Sequence, residues 1–518
     1  MNAANFLSKS ARKYPNKIAL IFEERRETYG ELNDRVNRLA NALIALGVRR
    51  GSKVALLFNN CHEVVESLYA VLKLGAAVVP LNARLSPREM IHLLGHSEAS
   101  TLICGEDFLE RAETIRQQMN RTEKLILCKD RVPDPFLSYE TLLQRASPEE
   151  PSVGEFDASH EAFILYTAGT TAQPKGAVLT HQNCIWNSIH YCLVQLTSFE
   201  DLSLVVFPLY HVAALGTLLA HIFIGATSVL KKTFDPYDCL ETIQRMRINR
   251  WSAVPTIYRV ILNLPDLDKY DLSSVTKLGS GAAAMPEDVK NRLVENFRNA
   301  GITDSYGQTE AAGSITVLLP KDAFRKTACV GQPLPTVEVR LVNEGDEDVE
   351  AGQVGELIYS GYNLMKCYYK DPEATHQALR GGWMHSGDLA RMDEEGYYYI
   401  VDRKKDMIIT GGENVYSREV EEVILLHPKV AEAAVVGLPD PKWGEAVTAF
   451  VVPKPGVSLG AEEIIQYCKA QIASHKSPKS VRFIDSLPKN SVGKVLKREL
   501  KESCSSEKAR RHSTSAEP

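Results

Sequence analysis

The stretch Tyr166–Gly176, YTAGTTAQPKG, begins on the last residue of the apolar run AFILY. It contains two glycines, three threonines and a single lysine. Glycine and small hydroxyl residues let backbone N–H groups approach an anion closely, and a lysine adds a positive charge. The stretch therefore predicts a loop that binds phosphate.

Two other interpretations of this stretch exist. A Walker A loop has the pattern G-x-x-x-x-G-K-[ST], which the sequence matches only at Gly169 and Lys175. Pro174 stands where the second glycine belongs, and Gly176 stands where a magnesium-binding hydroxyl belongs. A Gly/Thr-rich hairpin would explain the glycines and threonines but not the PKG sequence. The residues alone thus favour a nucleotide site of another kind.

The segments before this loop alternate between helical and strand patterns. From Leu32 to Leu46 apolar residues recur on one helical face, and Gly47 suits a left-handed helix end. The run KVALLF follows as a buried strand. The same order returns in EVVESLYAVLKLG with AAVVPL, and in REMIHLLGH with STLIC. Such alternation predicts an α/β fold with a mostly parallel sheet.

The pattern changes beyond residue 330. Short β-type runs such as TVEVRLVN and GELIYSG are separated by glycine and acidic turns, which predicts a β-rich subdomain at about residues 330–402. After DRKKD the pattern becomes that of a compact α+β domain. We therefore predict a large N-terminal domain of αβ layers (1–402), a small C-terminal domain (403–502) and a disordered tail (503–518).

Length and composition restrict the class of protein. A chain of 518 residues is too long for one core, so at least two domains are expected. A net charge of −5 gives no basic field for nucleic acid. The ten cysteines form no C-x-x-C pair, which argues against a zinc or redox motif. No run is long enough to span a bilayer, so we expect a soluble, cytoplasmic protein without a transmembrane segment.

Several later stretches follow the phosphate loop in a fixed order: GSGAAAMP (279–286), DSYGQTE (304–310), HSGD (385–388), VDRKKDMIITGGENVYSREVE (401–421) and PKNSVGKVLKREL (488–500). Together they resemble the motifs of the adenylate-forming enzymes, the family of acyl-CoA synthetases, firefly luciferase and nonribosomal-peptide adenylation domains. An ordered set over residues 166–500 is far more specific than any single motif. The sequence is most similar to AMP-forming acyl-CoA synthetases.

The resemblance implies a reaction in two steps. A carboxylate attacks the α-phosphate of ATP to give acyl-AMP and pyrophosphate, and the thiol of CoA then displaces AMP. Glu310 would bind Mg²⁺, which takes its remaining ligands from phosphates and water. The residues implied to hold phosphate are Thr167, Gly169, Thr170, Thr171, Lys175 and Thr309. Ala168 and Ala172 replace the family's usual serine and glycine, which leaves the contacts and mobility of the loop open.

The resemblance also implies the other nucleotide contacts. Small side chains would let adenine pack flat against the protein, and a tyrosine would stack on its ring. The residues implied around the adenine are Gly281, Ala282, Ala283, Tyr306 and Gly307. Asp388 would accept hydrogen bonds from the ribose hydroxyls, with Arg403 as its donor counterpart.

The C-terminal motifs imply catalysis and motion. Lys494 would bridge the attacking carboxylate and the α-phosphate as charge develops. In the family the C-terminal domain rotates between the two half-reactions, and Lys405 matches the hinge position. Gly411 and Gly412 would line the tunnel through which the pantetheine arm of CoA passes. Outside these motifs, such lysines would be solvated surface residues.

The nature of the acid is predicted from two positions. His211 resembles the family's gate between the acyl pocket and the ATP site, although a core histidine is the alternative. Acetyl-type synthetases carry tryptophan where Gly307 stands, so glycine indicates room for a larger acid. We therefore predict a medium- or long-chain fatty acid, or an aryl or alicyclic carboxylate.

Some alternatives remain open at this stage. An acyl-AMP ligase that transfers its product to a carrier protein would use the same tunnel as CoA. A luciferase-like monooxygenase shares the fold and motifs, whereas a nonribosomal-peptide module lacks support because no carrier sequence follows residue 500. A non-catalytic acyl- or nucleotide-binding protein would need lesions in the catalytic set. The expected partners are a small carboxylic acid, ATP and CoA; among assemblies, a homodimer is considered.

Overall fold

The computed structural model describes residues 2–119, 124–129, 131–167, 174–283, 285–489 and 495–504. They form two units. The larger unit holds the described residues of Met1–Val339 and Tyr359–Met384, and the smaller holds those of Arg340–Ile358 and His385–Pro518. The predicted large N-terminal and small C-terminal parts are confirmed. The smaller unit also takes in residues 340–358 and 385–402, so the functional boundary at residue 403 stays a prediction.

The helices follow the predicted periodicity. Helix α2 covers the face predicted from Leu32 to Leu46; Thr28 and Glu31 form a capping box at its start, and Gly47 beyond its end has a φ of +85°. The helices are α1 (Asn5–Lys13), α2 (Tyr29–Ala45), α3 (His62–Lys73), α4 (Pro87–Ser97), α5 (Leu109–Gln118), α6 (Tyr139–Arg145), α7 (His181–Leu193), α8 (Val212–Ile224), α9 (Pro236–Met246), α10 (Pro255–Leu262), α11 (Glu287–Asn296), α12 (Pro372–Ala378), α13 (Ser417–Leu425) and α14 (Ala461–Gln471).

The strands coincide with the apolar runs of the sequence. They are β1 (Ile18–Phe22), β2 (Arg25–Thr28), β3 (Lys53–Leu57), β4 (Ala77–Pro80), β5 (Thr101–Gly105), β6 (Lys124–Cys128), β7 (Leu137–Ser138), β8 (Glu161–Thr167), β9 (Lys175–Thr180), β10 (Leu202–Val205), β11 (Thr227–Leu230), β12 (Arg250–Ser252), β13 (Lys277–Gly281), β14 (Gly301–Gln308), β15 (Gly313–Leu318), β16 (Gln332–Pro333), β17 (Val337–Val342), β18 (Val354–Gly361), β19 (Cys367–Tyr368), β20 (Leu379–Arg380), β21 (Trp383–Met392), β22 (Tyr398–Arg403), β23 (Ile408–Thr410), β24 (Glu413–Val415), β25 (Val430–Asp440), β26 (Gly444–Pro453) and β27 (Ser480–Phe483).

The larger unit is built on mixed sheets with parallel centres. One sheet has the order β16-β15-β14-β13-β12-β10-β11-β1-β2, and another has the order β19-β9-β8-β4-β3-β5-β6-β7. Pairing is parallel from β1 through β11, β10, β12 and β13 to β14, and from β8 through β4, β3, β5 and β6 to β7. The α/β prediction with a mostly parallel sheet is therefore confirmed.

Each sheet buries its own apolar core. Trp251 of β12, Tyr258 of α10 and Phe297 pack together at ring distances of 5.2 and 6.3 Å beneath the first sheet. A second cluster covers β3, β4 and β5 with α4 and α5. Aromatic residues of this size bury the most apolar area per residue, so these clusters hold the strand ends in fixed positions.

The β-rich character predicted beyond residue 330 is present in a sheet with the order β17-β18-β21-β20 and β22 beside β21, and the bounds 330–402 of a subdomain stay a prediction. In the smaller unit, β24-β23-β26-β25 forms a further sheet with β27 beside β26, and α13 and α14 pack on it. Residues 497–504 are helical, and Cys504 is buried against β25 and β26. The predicted tail can therefore begin no earlier than residue 505, and the rest of it lies outside the described residues.

Among the described helices, none combines the length and apolar character needed to cross a bilayer.

Candidate active site

The predicted phosphate loop joins two antiparallel strands. Strand β8 ends at Thr167 and β9 begins at Lys175, and these two residues are opposite each other in the register. A Walker A loop leads from a strand into a helix, so this strand–loop–strand connection excludes it. Gly169, Thr170 and Thr171 lie outside the described residues, and their role in binding phosphate stays a prediction.

The lysine of the loop lies close to the predicted metal ligand. Glu310 is part of a short 3₁₀ turn, Thr309–Ala311, directly after β14. The hydroxyl of Tyr368 donates a hydrogen bond to Glu310 Oε1 at 2.8 Å. Lys175 Nζ lies 5.1 Å from the centre of the same tyrosine ring. The structure thus brings Lys175, Glu310 and Tyr368 into one cluster.

Tyr368 was not predicted from the sequence. It lies in β19, which pairs with β9 so that Tyr368 faces Ala177, and Tyr369 N–H donates to the Gly176 carbonyl at 2.7 Å. Burial and the adjacent Glu310 raise the pKa of Tyr368. The two consecutive tyrosines in CYYKDP are the sequence feature that could have indicated this contact. Aromatic side chains with a polar end in an otherwise polar segment favour a packing and hydrogen-bonding partner.

Glu310 fits a magnesium ion by its chemistry. Its carboxylate supplies the hard oxygen that Mg²⁺ prefers. Tyr368 uses Oε1, and no described residue donates to Oε2. Within the described residues, no three His, Cys, Asp or Glu side chains group closely enough to hold a metal by themselves. A magnesium ion at Glu310 would therefore take most of its ligands from substrate phosphates and water.

The predicted adenine residues lie at the carboxyl ends of neighbouring parallel strands. Gly281 of β13 pairs with Ser305 of β14, which places Gly281 beside Tyr306. A Cβ on Gly281 would lie 2.9 Å from the Ser305 carbonyl oxygen, so a side chain there would force the strands apart. Ala282 has a φ of +64° and is exposed, as is Ala283. The small residues thus leave an open surface at the edge where ligands of parallel sheets bind.

The backbone itself requires glycine at position 307. The β14–β15 register shifts between Tyr306 and Gly307. A Cβ on Gly307 would lie 1.8 Å from the Gly313 carbonyl oxygen and 2.8 Å from Ser314 Cα. No side chain fits between these backbones. The close approach of the two strands therefore requires glycine at this position, and the predicted room for a larger acid stays a prediction.

His211 lies at the N-cap of α8, between aromatic side chains. Its ring is 4.6 Å from that of Tyr210 and 5.3 Å from that of Phe207, and Nε2 is buried without a hydrogen-bond partner. Burial, helped by the positive charge of Arg84, lowers the pKa of His211 to about 4. The imidazole is therefore neutral at physiological pH.

The pH dependence of catalysis should reflect this neutral imidazole. Because the pKa is lowered, protonation of His211 is confined to pH well below 6, and the stability that the neutral ring contributes is lost only as pH falls from about 6.5 towards 4. We expect the pH profile of kcat/KM for pyrophosphate release to keep its shape between pH 6 and 8 in His211→Gln. An ionisation in that range that vanishes in the variant would contradict this assignment.

The smaller unit contains the predicted ribose residues. Asp388 of β21 and Arg403 of β22 are opposite each other in the register, and Arg403 Nε lies 3.2 Å from Asp388 Oδ1. The loop before Asp388 is held by Glu356, which accepts from Gly387 N–H at 3.2 Å and pairs with Lys404 at 2.9 Å. The predicted acceptor and donor are therefore together. Glu356 was not predicted, although it stands in the quoted run GELIYSG.

The hinge and tunnel residues also lie in this unit. Burial lowers the pKa of Lys405, which follows β22. Gly411 and Gly412 have φ values of +60° and +84°, the left-handed region that favours glycine. Gly411 N–H donates to the Trp443 carbonyl at 2.7 Å. Their predicted roles in rotation and in passing CoA stay predictions.

Lys494 lies outside the described residues, but its flanks are anchored. Lys489 and Val495 form an antiparallel bridge on either side of it. Lys497 Nζ donates to Ser417 Oγ at 2.6 Å and pairs with Glu421 at 2.7 Å. Asp402, next to the predicted hinge, accepts from Ser417 N–H and Oγ at 2.5 and 2.8 Å. Contacts at the start of α13 thus join the segment after Lys494 to the residue before Arg403.

A cavity of about 210 Å³ lies elsewhere in the larger unit. It opens at the amino ends of β12, β13 and β14 and is lined by Gln195, Leu196, Arg250, Thr276, Lys277, Leu278, Gly301, Thr303 and Pro320. The predicted adenine residues lie at the opposite ends of these strands. The cavity is therefore not part of the candidate site.

Comparison with known proteins agrees with the geometry. Residues 7–369 match the family model of the AMP-binding enzyme, and residues 419–494 match that of the AMP-binding enzyme C-terminal domain. The chain belongs to the AMP-binding enzyme family. The resemblance stated from the sequence motifs is thereby confirmed.

Named relatives indicate which kind of AMP-binding enzyme this chain is. A feruloyl-CoA synthase of Amycolatopsis sp is 39% identical over 492 residues, which cover 95% of this chain and 96% of the relative. A long-chain-fatty-acid–CoA ligase of Mycobacterium tuberculosis is 36% identical, with coverage of 92% and 93%. The crystal structure of an anthranilate CoA ligase in complex with anthranoyl-AMP matches with a TM-score of 0.92 at 28% identity over 98% of both chains. The protein is an AMP-forming acyl-CoA synthetase that uses ATP, CoA and a small carboxylic acid.

Proposed function

We propose that this acyl-CoA synthetase activates an aryl carboxylic acid whose ring carries a hydrogen-bond donor. Feruloyl-CoA synthase and anthranilate CoA ligase, by their names, act on aryl acids. A medium- or long-chain fatty acid is the second candidate, favoured by the name of the mycobacterial relative. Alicyclic acids have a ring of similar size but carry no hydrogen-bond donor on it.

A buried amide carries this proposal. Asn187 of α7 is 1% exposed, and its Oδ1 is buried without a donor. A Cβ on Gly313 of β15 would lie 3.1 Å from this oxygen, and a Cβ on Gly216 of α8 would lie 2.6 Å from Asn187 Nδ2. The amide thus lies between the helix that follows His211 and the strand that faces Gly307, where the acyl group is predicted to bind.

The chemistry of this amide separates the two candidates. A buried acceptor without a donor costs roughly 1–3 kcal/mol. A phenol or amino group on the substrate would satisfy Asn187 Oδ1, whereas a hydrocarbon tail would leave it unpaired. A site built to pair with a polar group discriminates strongly against the analogue that lacks it. The pocket should therefore prefer the donor-bearing acid.

The predicted site residues have the following roles in this proposal. Lys175 and the threonines of its loop hold the β- and γ-phosphates, and Asp388 and Arg403 bind the ribose. Mg²⁺ at Glu310 would neutralise phosphate charge when bound. Lys494 stabilises charge on the α-phosphate, and the hinge at Lys405 exchanges it for the tunnel glycines before CoA reacts.

The test measures acid-dependent pyrophosphate release with ATP and Mg²⁺, with and without CoA. The acids are 4-hydroxycinnamate, cinnamate, benzoate, cyclohexanecarboxylate, decanoate, palmitate and acetate. We expect kcat/KM for 4-hydroxycinnamate to exceed that for cinnamate by about tenfold. A best rate with decanoate or palmitate would transfer the assignment to the second candidate.

The variant Asn187→Leu supplies the control, because leucine has a similar shape but no acceptor. The preference for 4-hydroxycinnamate over cinnamate should disappear in this variant, while the rate with cinnamate changes little. An unchanged preference would show that another group recognises the hydroxyl. Asn187 would then have a purely structural role.

The location and assembly of the enzyme belong to the same proposal. We place the reaction in the cytoplasm, where ATP, Mg²⁺ and CoA are all available. A homodimer is the assembly that we would test first, by mass photometry at nanomolar concentration, since a monomer would give half the mass.

A further inference from the structure

The cluster around Tyr368 contains an arrangement that the reaction alone does not explain. The ammonium of Lys175 and the carboxylate of Glu310 carry opposite charges and both contact Tyr368, yet in the described structure they form no ion pair with each other. Instead, the tyrosine hydroxyl binds the carboxylate while its ring faces the ammonium. A tyrosine with one polar end and one aromatic face can do both at once.

The hydrogen bond restricts the carboxylate. Oε1 accepts from the Tyr368 hydroxyl at 2.8 Å, which restrains the Glu310 carboxylate and leaves Oε2 for a ligand. The backbone fixes Glu310 as well, because Met365 N–H donates to its carbonyl at 2.7 Å. A ligand that is positioned before the metal arrives loses less freedom on binding it.

The ring restricts the lysine. Lys175 Nζ lies 5.1 Å from the ring centre, within the range of a cation–π contact. A direct pair between Lys175 and Glu310 would neutralise the positive charge meant for phosphate and the negative charge meant for the metal. The ring offers Lys175 another partner and so keeps both charges available.

We propose that Tyr368 is a positioning residue that orients Glu310 towards Mg²⁺ and prevents Lys175 from pairing with it. This inference rests on the proposed role of Glu310 in binding metal. Tyr368 touches neither the acid nor the reacting atoms in this proposal. It acts through the two charged groups beside it.

The test measures metal binding rather than turnover. Mn²⁺ replaces Mg²⁺, and electron paramagnetic resonance gives the Kd of Mn²⁺ with the full-length enzyme and saturating ATP. Tyr368→Phe keeps the ring and removes the donor, so we expect the Kd to rise about tenfold. Tyr368→Leu removes the ring too, so the Kd should rise further and ATP should also bind more weakly.

Tyr369→Phe is the matched control. Tyr369 is the next residue, its hydroxyl donates to Glu98 at 3.1 Å, and Lys370 Nζ lies 5.6 Å from its ring centre. Tyr369→Phe therefore removes the same hydroxyl group, but one that binds a surface carboxylate. The Kd of Mn²⁺ should stay at the wild-type value. Equal Mn²⁺ affinity in Tyr368→Phe and wild type, or an equal loss in Tyr369→Phe, would overturn the proposal.

Further measurements separate this inference from the proposed function. Thermal denaturation should show Tyr368→Phe folded to within a few degrees of wild type, so that a weaker metal site is not the result of unfolding. The Kd of Mn²⁺ is measured without any acid, so a wrong choice of acyl substrate leaves it unchanged. If Glu310→Gln binds Mn²⁺ as tightly as wild type, then Glu310 is not the metal ligand. The proposed role of Tyr368 would then be wrong as well.

Discussion

Replacing Lys494 by alanine should lower acid-dependent pyrophosphate release by roughly 10²- to 10³-fold. The ammonium is proposed to lie between the attacking carboxylate and the α-phosphate, where negative charge accumulates only as the new bond forms. Removing it therefore removes stabilisation of the transition state, and kcat should fall more than KM rises. The second half-reaction, in which CoA attacks acyl-AMP supplied from outside, should change little.

The separation of the two half-reactions is the decisive readout for Lys494. Lys489→Ala is the control, since Lys489 lies five residues before Lys494 in the sequence and pairs with Glu432 at 2.6 Å in a partly exposed ion pair. Such a pair contributes about 1 kcal/mol at most, so both half-reactions should proceed normally. If Lys494→Ala slowed both halves equally, the lysine would be acting through the structure of the C-terminal unit.

Replacing Gly307 by alanine should have the largest effect on stability. The added methyl would lie 1.8 Å from the Gly313 carbonyl oxygen and 2.7 Å from its carbonyl carbon, and both atoms belong to backbone that cannot rotate away. Overpacking against backbone costs about 3 kcal/mol or more. We expect the apparent melting temperature to fall by roughly 5 °C, and pyrophosphate release to fall because Tyr306 and Glu310 lie on the same strand end.

A glycine in open surroundings provides the comparison for Gly307. Gly95 lies within α4, and no atom would come within 4 Å of a Cβ placed on it. Gly95→Ala should stabilise the protein by about 0.5–1 kcal/mol, because alanine favours the helix. If Gly307→Ala proved as stable as wild type, the β14–β15 contact would be looser than described, and the backbone would not require glycine at this position.

The sequence predicted those features that depend on local order along the chain. The alternation of apolar runs predicted the parallel sheets, and the resemblance to the family motifs supplied the predictions for Glu310, Asp388 and Arg403. Tyr368 could not be found in this way, because its partner Glu310 is 58 residues away and the contact exists only once β19 pairs with β9. The unpaired Oδ1 of Asn187 could not be predicted either, because α7, α8 and β15 come together around it only in the fold.

Gly307 shows that the fold can require a residue for a reason that the sequence motifs do not reveal. The comparison with tryptophan in acetyl-type synthetases predicted room for a larger acid, which stays a prediction, and the register shift between β14 and β15 adds a separate backbone requirement for glycine. The identity of a residue carries no information on which neighbour limits it.

The close approach of β14 and β15 at Gly307 also limits which substitutions this enzyme can accept. A single codon change that brings a large side chain to this position would meet the Gly313 carbonyl before it could shorten an acyl pocket. Tryptophan at this position would require the hairpin between β14 and β15 to rearrange. A shorter acyl pocket would therefore have to come from side chains on other elements, such as α7 and α8.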